Sequence, residues 1–195
     1  MAVEYDDSAA LVVVDVQNDF ADPQGSLYVE GGDGIIGLIN AHVAAARAAG
    51  APVFYTQDWH PPRTPHFEID GGTWPVHCVR DTWGAELHPE LVVDGPVVRK
   101  GTGGEDGYSG FTMRDPVTGD DASTGLDEQL RERDVSRVVV VGLALDVCVK
   151  ATALDAVRLG YACELPVDAS AAVNLEPDDG DRAVAELRDA GVIIH

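Results

Sequence analysis

Two groups of residues have the types and spacing to do chemistry. The first centres on Cys148, in the run Gly142-Leu-Ala-Leu-Asp-Val-Cys148, within the first turn of a helix predicted over residues 147–159. A helix N-terminus carries partial positive charge, which favours thiolate over thiol. A nearby lysine would add to that effect, and an aspartate could take the proton. Asp15 and Lys100 each stand at the end of a predicted strand, so Asp15, Lys100 and Cys148 make an activated nucleophile with partners if the fold unites them. The alternative at this point is a small buried cysteine packed on a sheet. The second group is Asp58-Trp-His60, then His66 and His77, four nitrogen or oxygen ligands within 20 residues. In Asp-x-His the two side chains share one side of an extended strand end, because strand side chains alternate. Imidazole mixed with carboxylate suits zinc, iron or manganese better than calcium or magnesium. Cys78 adjoins His77, but adjacent strand residues face opposite ways, so Cys78 and Cys163 read as structural.

These groups need elements to position them. Short β-branched runs occur at residues 9–14, 52–56, 96–99, 138–141, 161–165 and 192–194. Apolar residues at consecutive positions suit strands buried on both faces of a parallel sheet. Helical stretches lie between them. In the first, Ile35, Ile39, Val43 and Ala46 recur at helical spacing; others cover residues 125–133, 147–159 and 181–190. Gly50, Gly160 and Gly191 each follow a helix, where a left-handed closing residue is expected. Alternating strands and helices predict an α/β fold with a parallel sheet in one domain spanning residues 1–195. In open α/β sheets ligands bind beyond the carboxyl ends of the strands. Asp15, Asp58, Lys100, and Asp146 with Cys148 all fall at such ends. Two long non-periodic segments, residues 58–89 and 101–124, are the length of functional loops. Phe20, Trp59, Trp74, Trp83 and Tyr108 lie near the polar groups in sequence and could wall a flat heteroaromatic substrate.

Composition narrows the function classes. The chain has 195 residues and a formal net charge of −21. Such an excess of negative charge opposes binding to phosphate backbones and to anionic membranes. Three cysteines are not a disulfide framework. The N-terminus lacks the basic region of a signal peptide, and the longest apolar run, near residues 138–145, is far short of a membrane span. The expectation is a cytoplasmic protein acting on a small molecule, as a monomer or homo-oligomer. The glycines at 101, 103, 104 and 107 form no dinucleotide fingerprint or phosphate-binding loop.

The runs Leu11-Val-Val-Val-Asp-Val-Gln-Asn-Asp-Phe20, Thr56-Gln-Asp-Trp-His-Pro-Pro62, Trp74-Pro-Val-His-Cys78, Thr82-Trp-Gly-Ala-Glu-Leu-His-Pro89, Arg99-Lys-Gly101, Tyr108-Ser-Gly-Phe111 and the segment 142–157 stand in one order. Together they resemble the nicotinamidases of the isochorismatase-like cysteine hydrolase superfamily, from about residue 10 to residue 175. The resemblance implies a three-layer α/β sandwich with a six-stranded, mostly parallel sheet flanked by helices. It implies hydrolysis of nicotinamide, or an analogue such as pyrazinamide, with one divalent transition metal, zinc before iron or manganese. Cys148 would be the nucleophile, Asp15 the acid and base, and Lys100 the third member. Asp58, His60 and His77 would hold the metal, with His66 a ligand found in only some members. Phe20 and Trp74 would sandwich the ring, with Tyr108 nearby. A cis peptide before Ala144 would turn the N–H groups of Ala144 and Cys148 into an oxyanion hole. Sister hydrolases acting on other amides keep the Asp, Lys and Cys but lack the metal set, and a silent binding module would lack the triad. Two departures flank the expected site: the altered loop Ala21–Gly25 and an apparent insertion over Arg114–Ser123.

Overall fold

A computed structural model describes residues 3–195. Met1 and Ala2, the first residues of the N-terminal stretch considered above, lie outside the described residues. The strands are β1 (Ala9–Val14), β2 (Val53–Asp58), β3 (Val97–Lys100), β4 (Thr112–Arg114), β5 (Asp121–Ser123), β6 (Arg137–Leu143), β7 (Ala162–Leu165), β8 (Ser170–Ala171) and β9 (Ile193–Ile194). The helices are α1 (Asn18–Ala21), α2 (Ile36–Ala48), α3 (Leu126–Arg131), α4 (Lys150–Arg158) and α5 (Asp179–Asp189). The main sheet runs β3-β2-β1-β6-β7-β9, and β8 pairs with β6. Every pairing within it is parallel. The sheet therefore has seven strands rather than the expected six. The extra one, β8, is two residues long, too short to leave a periodic signature in sequence.

Burial explains the consecutive apolar runs. All six residues of β1 are buried. Leu11 and Val13 pack with Ile36, Ile39 and Val43 of α2 on one face. Ala10, Val12 and Val14 pack with Leu126 and Leu130 of α3, Ala153 of α4 and Leu187 of α5 on the other. These are the three layers. Right-handed crossovers account for the division. The chain builds outward from β1 to β3, then returns to β6 and builds the other way, so α2 and α4 fall on opposite faces. The reversal lies between β1 and β6, which pair over six residues from Ala9↔Arg137 to Val14↔Gly142. Gly50, Gly160 and Gly191 have φ of 77°, 94° and 97°, the left-handed closure expected after α2, α4 and α5. Among the described residues, no helix is long and apolar enough to cross a membrane.

The two long loops do not lie slack. The segment read as an insertion folds into the antiparallel β4–β5 hairpin. An antiparallel bridge ties its root, Arg114, to Asp106.

Candidate active site

The switch between β1 and β6 opens a crevice at the strands' carboxyl ends, where such sheets bind ligands. Asp15 follows β1 with φ of 49°, an uncommon conformation for a non-glycine residue. Its carboxylate is held by Thr56, which donates from Oγ1 to Oδ1 at 2.6 Å. Lys100 ends β3 and is fully buried. Its ammonium lies 2.7 Å from Asp15 Oδ2 and also contacts Asp58 Oδ1 and the Gly107 carbonyl. Cys148 sits beyond β6, with its Sγ 3.9 Å from Lys100 Nζ. Ligand atoms of Asp15, Asp58 and Cys148 all lie within 4.8 Å of one another. The three residues expected to act together are thus brought together.

The helix bearing Cys148 starts earlier than the sequence indicates. A π-helical turn, Leu145–Val149, precedes α4, and Cys148 lies in that turn. The peptide bond joining Leu143 to Ala144 is cis.

At Cys148 the helix turn and Lys100 favour the thiolate while the Asp15 carboxylate opposes it, a balance that the sequence leaves open and burial decides. Burial pushes the Cys148 thiol well above its ordinary value, and the Lys100 charge does not compensate. The helix turn and the lysine therefore do not leave a free thiolate. Burial also raises Asp15, to about 6, against the opposing pull of Lys100. For Lys100 the balance is reversed. Burial alone would lower it, but the Asp15 and Asp58 carboxylates outweigh burial and hold the ammonium charged. Asp58 resists the upward push of its own burial because Lys100 and His60 favour its anion, and it ends well below the usual carboxylate range.

The imidazoles of His60, His66 and His77 converge, with one ligand atom from each within 4.8 Å of the others. Their donors fit a metal. His60 is fully buried, and neither of its ring nitrogens has a hydrogen-bond partner. Such orphaned polar atoms are costly unless something binds them. His77 Nδ1 lies 2.7 Å from the Pro75 carbonyl, and His66 Nδ1 lies 2.5 Å from Asp106 Oδ1. In each case Nε2 is left to face the centre. Burial depresses His77 to about 4 and lowers His66, so both imidazoles are neutral, the form that coordinates metals. Asp58 sits at the seam between the two groups. Its Oδ1 faces Lys100 while Oδ2 lies 3.8 Å from His60 Nε2. Gly101 passes so close to the His60 ring that any Cβ there would collide with it.

A cavity joins the two groups. Phe20, Trp74 and Tyr108 line it together with Asp58, His66, His77 and Cys148. Trp74 Nε1 donates to the Tyr108 hydroxyl at 3.0 Å. Ala144 also faces the cavity, as do Val147 and Val173. Two aromatic candidates belong elsewhere. Trp59 lies under the Arg99 guanidinium at 3.8 Å, and Trp83 is 48% exposed. Cys78 and Cys163 are buried and do not line the cavity. Neither departure reaches it either: no residue of Ala21–Gly25 or Arg114–Ser123 is in the lining, although Leu27 and Val29, just past the first, are.

Several supports escaped sequence reading. Gln17 Nε2 donates to the carbonyls of Asp58 and Ala85, and Gln17 Oε1 accepts the Asp58 N–H at 2.8 Å, fixing the end of β2. Thr152 ties the Tyr108 loop to α4, accepting from Gly110 N and donating to the Cys148 carbonyl. Only Gln17 carried a signal, as a polar residue beside Asp15 at the strand edge.

Comparison with known proteins places the geometry. The isochorismatase domain model matches residues 9–194. The chain belongs to the isochorismatase family. Within it, a relative from Escherichia coli K12, a nicotinamidase, is 36% identical over 205 residues, covering 95% of this chain and 93% of its own. Among solved structures, PnC1 from L. infantum in complex with nicotinate superposes with a TM-score of 0.90 at 37% identity, covering 100% of this chain and 96% of that one. Pyrazinamidase of Pyrococcus horikoshii in complex with zinc gives 0.86 at 38% identity, covering 96% and 98%. The nicotinamidase and pyrazinamidase relatives are matched over nearly their whole length.

Proposed function

We propose that this chain hydrolyses nicotinamide to nicotinate and ammonia through a thioester on Cys148. One observation carries the reading. A single aromatic-walled cavity has the Cys148 thiol at one side and the imidazoles of His66 and His77 at another. A pyridine carboxamide has two matching handles, a ring nitrogen and an electrophilic carbonyl carbon. The naming of the E. coli relative and the nicotinate held by the L. infantum structure support the same substrate.

Asp58, His60, His77 and His66 would hold the metal, with zinc the first choice and iron or manganese the others. When bound, it supplies a Lewis-acidic anchor for the ring nitrogen. Phe20 and Trp74 hold the faces of the ring, with Tyr108 bracing Trp74. Because burial keeps the Cys148 thiol protonated, the reaction needs a base, and Asp15 fills that role. With a pKa of about 6 it is ionised at pH 7, yet close enough to neutrality to return the proton. Asp15 accepts the Sγ proton as sulfur attacks the carbonyl carbon. Lys100 fixes Asp15 and offsets negative charge growing at Sγ. The N–H groups of Ala144 and Cys148 receive the oxyanion; one such donor typically contributes about 3 kcal/mol. Asp15 then delivers its proton to the departing ammonia. Water attacks the thioester with Asp15 again as base, releasing nicotinate and restoring the thiol.

Ammonia release from nicotinamide by the purified protein, with and without a chelator, tests this. Equal yields of nicotinate and ammonia, lost on chelation and regained with metal, are expected. No ammonia from metal-loaded protein would refute the substrate, and activity indifferent to chelation would refute the metal.

A further inference from the structure

We infer that Asp106 is a positioning residue that makes His66 a permanent fourth donor of the metal site, and that the β4–β5 hairpin exists in part to hold Asp106 there. The inference rests on the metal-dependent reading above and extends it to residues outside the ligand set.

His66 is held so that only one of its nitrogens can serve. Its Nδ1 lies 2.5 Å from Asp106 Oδ1, and its ring stacks on His60 with centroids 4.7 Å apart. A carboxylate on Nδ1 keeps the proton on that nitrogen and leaves the Nε2 lone pair toward His60 and His77. It also raises the basicity of the ring as a ligand. His77 takes its tautomer from a neutral backbone carbonyl, whereas His66 takes its own from a carboxylate. The site thus gains a negative charge one bond beyond its donors.

Asp106 cannot swing away easily. Its N–H donates to the Arg114 carbonyl at 2.7 Å, and its carbonyl accepts the Arg114 N–H at 2.9 Å. Arg114 ends β4, which pairs with β5 through Thr112↔Ser123, Met113↔Ala122 and Arg114↔Asp121. The loop carrying His66 is sewn to the same segment from the other side. Thr64 Oγ1 donates to the Gly104 carbonyl at 2.6 Å and accepts the His66 N–H at 3.2 Å. Asp106 and His66 are therefore presented by two loops fastened to each other, with the hairpin as the brace. Residues 114–123 flank the site without lining the cavity, and this clamp gives them a structural task there.

The test is zinc affinity of apo-protein, measured by competition with a chromophoric chelator, on wild type, Asp106→Ala, Asp106→Asn, His66→Ala and the Asp106→Ala/His66→Ala double variant. Outer-shell partners of this kind typically change metal affinity by about 10–100-fold, so Asp106→Ala should lose that much. Asp106→Asn retains an acceptor for Nδ1–H and should recover part of the loss. The double variant should bind no more weakly than His66→Ala, because Asp106 acts only through His66. Thermal denaturation of each apo-protein identifies any variant that has lost its fold, and Asp106→Asn then carries the comparison. Unchanged affinity in Asp106→Ala, or additive losses in the double variant, would overturn the inference while leaving the metal site standing. Wild type that binds no zinc, iron or manganese would instead overturn the metal-dependent reading itself.

Discussion

Replacing Lys100 by Met would strand two buried carboxylates. Met nearly matches the aliphatic volume of Lys, so little cavity is created and the change is chiefly one of charge. Lys100 is fully buried, with Asp15 Oδ2 at 2.7 Å and Asp58 and the Gly107 carbonyl also in contact. Removing one partner of a buried ion pair typically costs about 3–5 kcal/mol, because the remaining charge is left without compensation. In a chain of this size each kcal/mol moves Tm by about 2–4 °C, so a fall of roughly 6–20 °C is expected. The deficit should depend on pH. Without the ammonium, burial holds the folded pKa of Asp15 further above its unfolded one, and Asp58 loses the largest influence that keeps its own down. A carboxyl raised in this way adds stability at low pH and loses it as pH rises. The gap between wild type and Lys100→Met should therefore be wider at pH 8 than at pH 5. Adding Asp15→Asn and Asp58→Asn should close much of it, since removing all the charges leaves none uncompensated. Urea denaturation in the presence of chelator, at both pH values, measures the gap. A gap below about 1 kcal/mol at pH 8, or one equal at the two pH values, would refute the claim that Lys100 neutralises this buried pair.

Other substitutions separate the roles. Cys148→Ala should abolish ammonia release while Cys163→Ala, buried away from the cavity, leaves turnover near that of wild type; a steady-state assay of both proteins decides. Activity should fall as pH drops through about 6, because protonated Asp15 cannot accept the thiol proton. A kcat/KM profile flat down to pH 4.5 would exclude Asp15 as the base. His77→Ala should lower metal content, read by elemental analysis of the purified variant against wild type. Trp74→Ala should raise KM, since it removes one ring face together with the brace on Tyr108; an unchanged KM would place the substrate elsewhere in the cavity.

Much of this site is legible in the sequence because its key groups are of distinctive type and stand at strand ends. Asp15, Lys100 and Cys148 stand at or just beyond the ends of three strands distant in sequence, and the rule that ligands bind beyond the carboxyl edge unites them. His60, His66 and His77 stood out by density within one loop. What remained hidden shares a physical character. Gly107 acts through a carbonyl that every residue possesses, Thr56 and Gln17 act through common polar groups, and Asp106 is one carboxylate among many in an acidic chain. Nearness in sequence could not separate Trp59 and Trp83 from Phe20, Trp74 and Tyr108, because it says nothing about which way a loop side chain turns. The sign of the Cys148 shift escaped for a different reason. Helix turn and lysine are local features and argue for a thiolate. Desolvation belongs to the whole closure of the crevice, and only the folded chain reveals that it wins. The consequence is mechanistic. A cysteine activated by a depressed pKa would need no base, whereas one kept protonated by burial depends on Asp15. The catalytic burden thus passes from the nucleophile to a carboxylate that burial has itself raised toward neutrality.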